Sequence, residues 1–138
     1  MKKNLVFFSG GILLLLLFLG LAAWYLYNKP HRGVSGERAA VVIPADSLYY
    51  FYELNEKEAD KKFLGKILKV EGRLDGIEKQ GQTEVWMLSV QKDGGGINCR
   101  MFAGSNNSPA KGSVVVVKGR CSGFLADVNL VDCEIEPR

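Results

Sequence analysis

The sequence predicts a mainly β protein: a five-stranded Greek-key barrel with an N-terminal helical segment, preceded by a single transmembrane helix. Three observations carry that prediction. Positions 5–27 (LVFFSGGILLLLLFLGLAAWYLY) hold 23 residues without one charge. Positions 45–64 carry two helix-start signals ahead of apolar residues spaced three and four apart, the period of a helix packed on one face. From position 66 onward the apolar period becomes two and glycines punctuate it, as strands and their turns require. The implied organisation is 1–28 as anchor or uncleaved signal, 29–44 as linker, and 45–138 as the barrel with its leading helices.

A helix of 23 residues reaches about 35 Å, against a hydrocarbon core of about 30 Å. Lys2 and Lys3 precede the run, and Gly20-Leu21-Ala22 resembles a small-x-small cleavage site. The apolar segment is nevertheless longer than a cleaved signal needs. It ends in Trp24, Tyr25 and Tyr27, then Lys29 and Arg32, the aromatic and basic belt of a membrane interface. The expectation is an uncleaved anchor that partners the lipid bilayer through residues 5–27. No cysteine precedes Cys99, which argues against a lipidated N-terminus. The N-terminal amine with Lys2 and Lys3 slightly outweighs Lys29 and Arg32. That bias puts the N-terminus in the cytoplasm and the C-terminal domain outside, in the periplasm or beyond.

The formal net charge is +3, from 18 Lys and Arg against 15 Asp and Glu. Lys2 and Lys3 supply two of those positive charges, so the rest of the chain is balanced to within one. A nucleic-acid binder shows a basic domain with clustered Lys and Arg. Here only Lys61, Lys62, Lys66 and Lys69 gather, and they read as a solvated helix end and strand edge. A protein or envelope partner suits this balance; nucleic acid stays open but is not favoured.

The linker opens with Asn28-Lys29-Pro30, where proline stops a helix, and mixes Gly33 and Gly36 with charges. His31, the only histidine, reads as an interfacial residue, because a metal site needs several convergent ligands. Asp46 or Ser47 then caps a helix through Leu54, with Pro44 just outside. Asn55 caps a second helix, and Glu58 three residues on is placed to reach back to the Asn55 amide. That helix runs to about Leu64 and stops at Gly65. Leu48, Phe51 and Tyr52 share one face, as do Ala59 and Phe63. The aromatic run from Tyr49 to Tyr52 reads as helix packing on a sheet, with Tyr49 and Tyr50 partly exposed.

The first strand, 66–75 (KILKVEGRLD), sets Leu68, Val70, Gly72 and Leu74 on one face and Lys69, Glu71 and Arg73 on the other. Gly72 in mid-strand suggests a bend or bulge where a small barrel curls. Positions 79–82 turn, and 84–90 form a second strand whose inward parity stays open. Asp93 and Gly94 to Gly96 make a tight hairpin turn; no GKS/T follows, so this is no phosphate loop. The third strand, 97–102, points Ile97, Cys99 and Met101 inward and Asn98, Arg100 and Phe102 outward. A polar loop spans 103–112 where a helix would usually lie. Val114 to Val117 mark a strand (113–121) buried on both sides. Positions 123–127 turn into the last strand, 128–135, with Val128, Leu130 and Asp132 on one parity and Val131, Cys133 and Ile135 on the other. Five strands at this spacing with a helix beside them fit an OB-type barrel.

At this point a family resemblance rests on particular residues. Asn55, Ala59-Asp60, Phe63-Leu64-Gly65-Lys66 and Val70-Glu71-Gly72 lead into Asn98-Cys99-Arg100-Met101-Phe102. Lys111-Gly112-Ser113-Val114, Lys118-Gly119-Arg120-Cys121-Ser122-Gly123 and Val128-Asn129-Leu130-Val131-Asp132-Cys133 follow. Together, over about 45–135, they resemble the tRNA_anti-like family of bacterial OB-fold proteins, whose members look like small secreted, lipidated or membrane-anchored proteins. The resemblance implies a fold; the family's name records similarity to anticodon-binding domains and transfers no activity.

Three cysteines in an exported domain invite a disulfide. Cys121 and Cys133 lie on the two arms of the final hairpin, 12 residues apart, and a bridge there is worth roughly 3 kcal/mol on loop-entropy grounds. Cys99 reads as a buried thiol. With no CxxC pattern and no nearby histidine, no zinc site is expected.

The expected function is a non-enzymatic binding module using strands two and three and the loops beside them. Arg100 and Phe102 point outward there with Asn98, and Trp86 joins them if its strand has that parity. Such a cationic and aromatic patch suits a base, a sugar or a peptide side chain. Packing of the same residues under the helical segment is the competing reading. Single-stranded nucleic acid or an oligosaccharide is the alternative ligand. An enzyme or cofactor carrier is not expected: the barrel segment has no histidine, and its carboxylates read as scattered surface charge.

Overall fold

The computed structural model describes residues 2–27, 33–34, 36–91, 94–102 and 108–137, with the side chains of the first helix described from Gly11. The chain divides into two units, Met1–His31 and Arg32–Arg138. The first is one helix, α1 (Lys2–Tyr27). Its large described apolar side chains, including Leu13, Leu17, Phe18 and Trp24, are exposed. Among the described residues no helix is long and apolar enough to cross a membrane; side chains 5–10 of the expected span lie outside them. Asn28-Lys29-Pro30, His31 and Arg32 also lie outside the described residues.

The second unit begins inside the expected linker. Val34 is fully buried, the Ala40 amide donates to the Ile67 carbonyl at 2.8 Å, and Val41–Pro44 forms a strand, β1. Three further elements follow: α2 (Ala45–Leu54), α3 (Glu56–Phe63) and β2 (Ile67–Gln80). β3 (Thr83–Ser89), β4 (Gly96–Met101), β5 (Val114–Leu125) and β6 (Asp127–Ile135) complete the domain. The sheet order is β1-β2-β3-β4-β6-β5, and β2 also pairs with β5. That last pairing closes five strands into a barrel, with β4 and β6 parallel and β1 added in parallel along β2.

β2 does two jobs because it is longer than expected. Its first half pairs with β5 and its second half with β3. The strand does not stop at Asp75: the register shifts between Leu74 and Gly76, so Asp75 is a bulge that bends the strand while pairing continues. Gly72, expected as the bend, has another role. A Cβ there would sit 2.9 Å from Ala45 Cβ and 3.2 Å from Leu88 Cδ1, so its bare backbone admits the start of α2. β5 likewise outruns its expected end and turns at Ala126, whose φ is 64°.

The helices cap differently from the sequence expectation. α2 starts at Pro44 with no side-chain cap, and Asp46 Oδ1 instead accepts from the Gln91 amide at 2.6 Å. Asn55 Oδ1 does accept from the Glu58 amide, at 3.3 Å. The reciprocal half is absent, because the Asn55 N–H closes α2 on the Phe51 carbonyl and Glu58 pairs with Lys61 at 2.7 Å. Gly65, at φ 74°, ends the segment as expected.

α2 packs against β1, β2, β3, β4 and β6, and α3 against β5, so the pair covers one mouth of the barrel. Leu48, Tyr52, Ala59 and Phe63 enter a core built from Leu68, Val70, Leu74, Trp86, Leu88, Ile97, Val117 and Leu130. Fully burying a side chain such as Leu48 or Phe63 contributes about 1.5–3 kcal/mol. Phe51, expected on the same face, is 41% exposed and lies under the Lys62 ammonium, 4.4 Å from its centroid.

Candidate nucleic-acid or peptide interface

The strand alternation that fills the core also sets what lies outside it. On β4, Ile97, Cys99 and Met101 are buried, leaving Asn98 and Arg100 outward. The parallel register places Asn98 opposite Asn129 of β6, and Arg100 stands opposite Val85 of β3. A groove of about 280 Å³ runs over this surface. Gln80, Asn98, Arg100, Ser122 and Asn129 give it polar walls, and Val85, Leu130 and Val131 an apolar floor.

Asp127 organises this groove from one end. Its Oδ1 accepts from the Gly96 amide at 2.7 Å and its Oδ2 from Asn98 Nδ2 at 3.2 Å. Its carbonyl accepts from Asn129 Nδ2 at 3.0 Å. Both asparagine side chains are thereby oriented, and each keeps Oδ1 as an acceptor. Among the described residues Arg100 pairs with no carboxylate, so its guanidinium is the groove's one unspent cation.

Of the four expected ligand residues the groove brings together Asn98 and Arg100. Trp86 is fully buried, opposite Cys99 and Ile77, and its indole donates to Glu84 Oε2 at 3.1 Å. It is a core residue, not part of an exposed patch. Phe102 lies past the end of β4, where its amide donates to the Cys133 carbonyl at 2.7 Å, and it does not line the groove. Gln80, Ser122 and Asn129 were not foreseen. Asn129 becomes visible only once β4 and β6 are paired in parallel.

All three cysteines are unbridged and buried in the structure, the expected pair Cys121 and Cys133 among them. Cys121 stands opposite Leu130, not Cys133, and its Sγ lies 3.2 Å from the Tyr52 hydroxyl. Burial, and then this contact, push the Tyr52 phenol well above its ordinary range. The phenol and the thiol are sealed in the core, with Asp60 beside the phenol. Among the described residues no group of His, Cys, Asp and Glu is placed to hold a metal ion.

A closed barrel of this strand order, helix-capped at one mouth and grooved across β3, β4 and β6, defines an OB-type ligand-binding scaffold. The chain belongs to the tRNA_anti-like family, whose model matches residues 1–135. Among solved structures it is similar to a "putative nucleic acid-binding lipoprotein" from Klebsiella pneumoniae subsp. pneumoniae MGH 78578. The two are 18% identical, with 69% of this chain and 91% of that one covered and a TM-score of 0.58. It is also similar to the OBody AM3L09 solved with hen egg-white lysozyme. There the identity is 13%, over 56% of this chain and 87% of that one, with a TM-score of 0.38. A comparison with curated proteins finds no significant match.

Proposed function

We propose that this chain is a non-enzymatic, membrane-tethered binding module that grips an extended segment of a protein or envelope component. Residues 5–27 hold it to the bilayer, the N-terminus is cytoplasmic, and the barrel faces the extracytoplasmic side. The observation that carries the reading is the composition of the groove. Amides and a hydroxyl at Gln80, Asn98, Ser122 and Asn129 surround one cation, Arg100, over an apolar floor. Such walls satisfy a polymer's own donors and acceptors, and a single guanidinium fits one carboxylate or similar anion along it. Among the described residues no aromatic side chain lines the groove to stack a base.

The test is photo-crosslinking in intact membranes, with a photoreactive residue replacing Ser122. A discrete protein or glycan adduct that disappears with Arg100→Ala is expected; capture of nucleic acid alone overturns the reading. Single-stranded nucleic acid is the second reading, favoured by Arg100 and by the description of the Klebsiella protein. It predicts oligonucleotide binding whose log–log salt slope is about −0.7 for the one phosphate this groove neutralises. Salt-insensitive binding of a peptide, with no oligonucleotide retained, decides against it.

A further inference from the structure

We infer that Cys99 and Cys133 are a disulfide-forming pair that staples the parallel seam of β4 and β6 from inside the barrel. Cys99 stands opposite Leu130, and Met101 opposite Cys133. Two residues of β4 are therefore matched by three of β6, and Asp132, at φ 54°, is the extra one. Without that bulge, alternation from Leu130 would point Asp132 inward and Cys133 outward. With it, Cys133 turns into the core, and both thiols are fully buried. The Cys99 side chain is the leading influence on the Cys133 thiol, ahead of burial itself. Gly119 makes the room: any Cβ there would overlap Cys133 Sγ. Cys121 is kept apart, since Leu130 lies between it and Cys99 in the register and its thiol faces Tyr52.

The chemistry is thiol–disulfide exchange with a disulfide oxidant such as oxidised glutathione. One protein thiolate attacks a glutathione sulfur, forming a mixed disulfide and releasing one glutathione thiolate. The second protein thiolate attacks the protein sulfur of that mixed disulfide and releases the other. Two protein thiols thus lose two electrons and two protons, and one glutathione disulfide becomes two thiols. The neighbouring Cys99 thiol and burial push the Cys133 thiol up, so its thiolate is scarce in the folded barrel. Exchange therefore proceeds while β6 is still undocked, and the finished bridge is shielded from reductant. Asn98, Arg100 and Asn129 sit on the outer faces of the same two strands, so the staple fixes the spacing across the groove. In the cell the bridge needs an oxidising compartment and so rests on the extracytoplasmic placement proposed above; the pairing itself does not.

The test uses the full chain in detergent, reduced and unfolded in urea, then refolded in buffer containing oxidised glutathione. Thiols are alkylated in urea without reductant, and the chain is cut with trypsin and Asp-N, which separates Cys121 from Cys133. One alkylated thiol per chain, at Cys121, and a Cys99–Cys133 linked peptide are expected. Three alkylated thiols, or any bridge that includes Cys121, overturn the pairing. If the refolded protein carries the bridge while protein isolated from cells into alkylating urea shows three thiols, the pairing stands and the extracytoplasmic placement falls.

Discussion

The Tyr52 hydroxyl and the Cys121 thiol meet 3.2 Å apart in the core, joining α2 to β5 across 69 positions of sequence. The contact turns the Cys121 thiol toward α2, and it yields a measurable coupling. In a double-mutant cycle of Tyr52→Phe and Cys121→Ala, urea unfolding should show the single losses to be non-additive by about 0.5–1.5 kcal/mol. The same pair governs the alkaline limb. Tyr52 ionises less readily in the folded barrel than at its ordinary value of 10.0. Its contribution is therefore complete below pH 10 and declines as the pH rises through and beyond it, where only the unfolded chain gives up the proton. Tyr52→Phe should flatten that decline; an unchanged limb would contradict the burial.

Lys69 and Lys118 stand directly opposite each other on β2 and β5, a like-charge pairing that would by itself be destabilising. Glu136 resolves it by lying 2.6 Å from Lys69 and 3.2 Å from the nearly buried Lys118. The Lys69 contact leads the causes that hold the Glu136 carboxyl below its usual 4.5. A depressed carboxyl stabilises the fold fully above its unfolded value and loses that effect as the pH falls through the folded one. Glu136→Gln should cost roughly 1–3 kcal/mol at neutral pH, between a surface pair and a buried one. The gap to wild type should close between pH 5 and the acid transition, as followed by urea midpoints.

Much of the barrel was legible because β4 alternates cleanly: Ile97, Cys99 and Met101 against Asn98 and Arg100. β3 did not, since Val85 and Met87 are as apolar as Trp86 and Leu88, and period two cannot choose between such faces. Asp75 and Asp132 were opaque for a different reason. Asp75 reads as a strand end and Asp132 as one more step of the Val128–Leu130 parity, yet Asp75 is a bulge and Asp132 a positive-φ residue, and each lets its strand continue. β1 was hidden because its four residues, Val41–Pro44, carry no periodic signal of their own. The groove needed topology: Gln80, Ser122 and Asn129 come from three strands, and only closure of β4 on β6 brings them to Arg100.

Gly72 is the position where the smallest change should show the largest local conflict. An alanine methyl would stand 2.9 Å from Ala45 Cβ and 3.2 Å from Leu88 Cδ1, closer than packed carbons allow. Overpacking of this kind costs about 1–3 kcal/mol, so Gly72→Ala should lower the urea midpoint. Pairing it with Ala45→Gly should restore part of the loss. If the two substitutions add independently, the close approach of α2 to β2 is not what the glycine serves.

Trp86 and Arg100 separate stability from binding. Trp86→Ala empties the centre of the barrel and should cost about 3–5 kcal/mol, with thermal unfolding as the readout. Arg100 is exposed and pairs with no carboxylate among the described residues, so Arg100→Ala should leave the melting temperature within the range of surface substitutions, about 0.5 kcal/mol. The same variant should abolish the crosslinked adduct from Ser122. Asp127→Ala lies between these extremes, because it releases the Gly96 amide and the Asn98 side chain together. Unmaking those two contacts should cost about 1–3 kcal/mol and weaken the adduct by disordering Asn98, while Asn129 keeps its bond to the main-chain carbonyl of residue 127. A variant at Arg100 that unfolds the barrel, or one at Asp127 that leaves the adduct at full strength, would place recognition elsewhere than this groove.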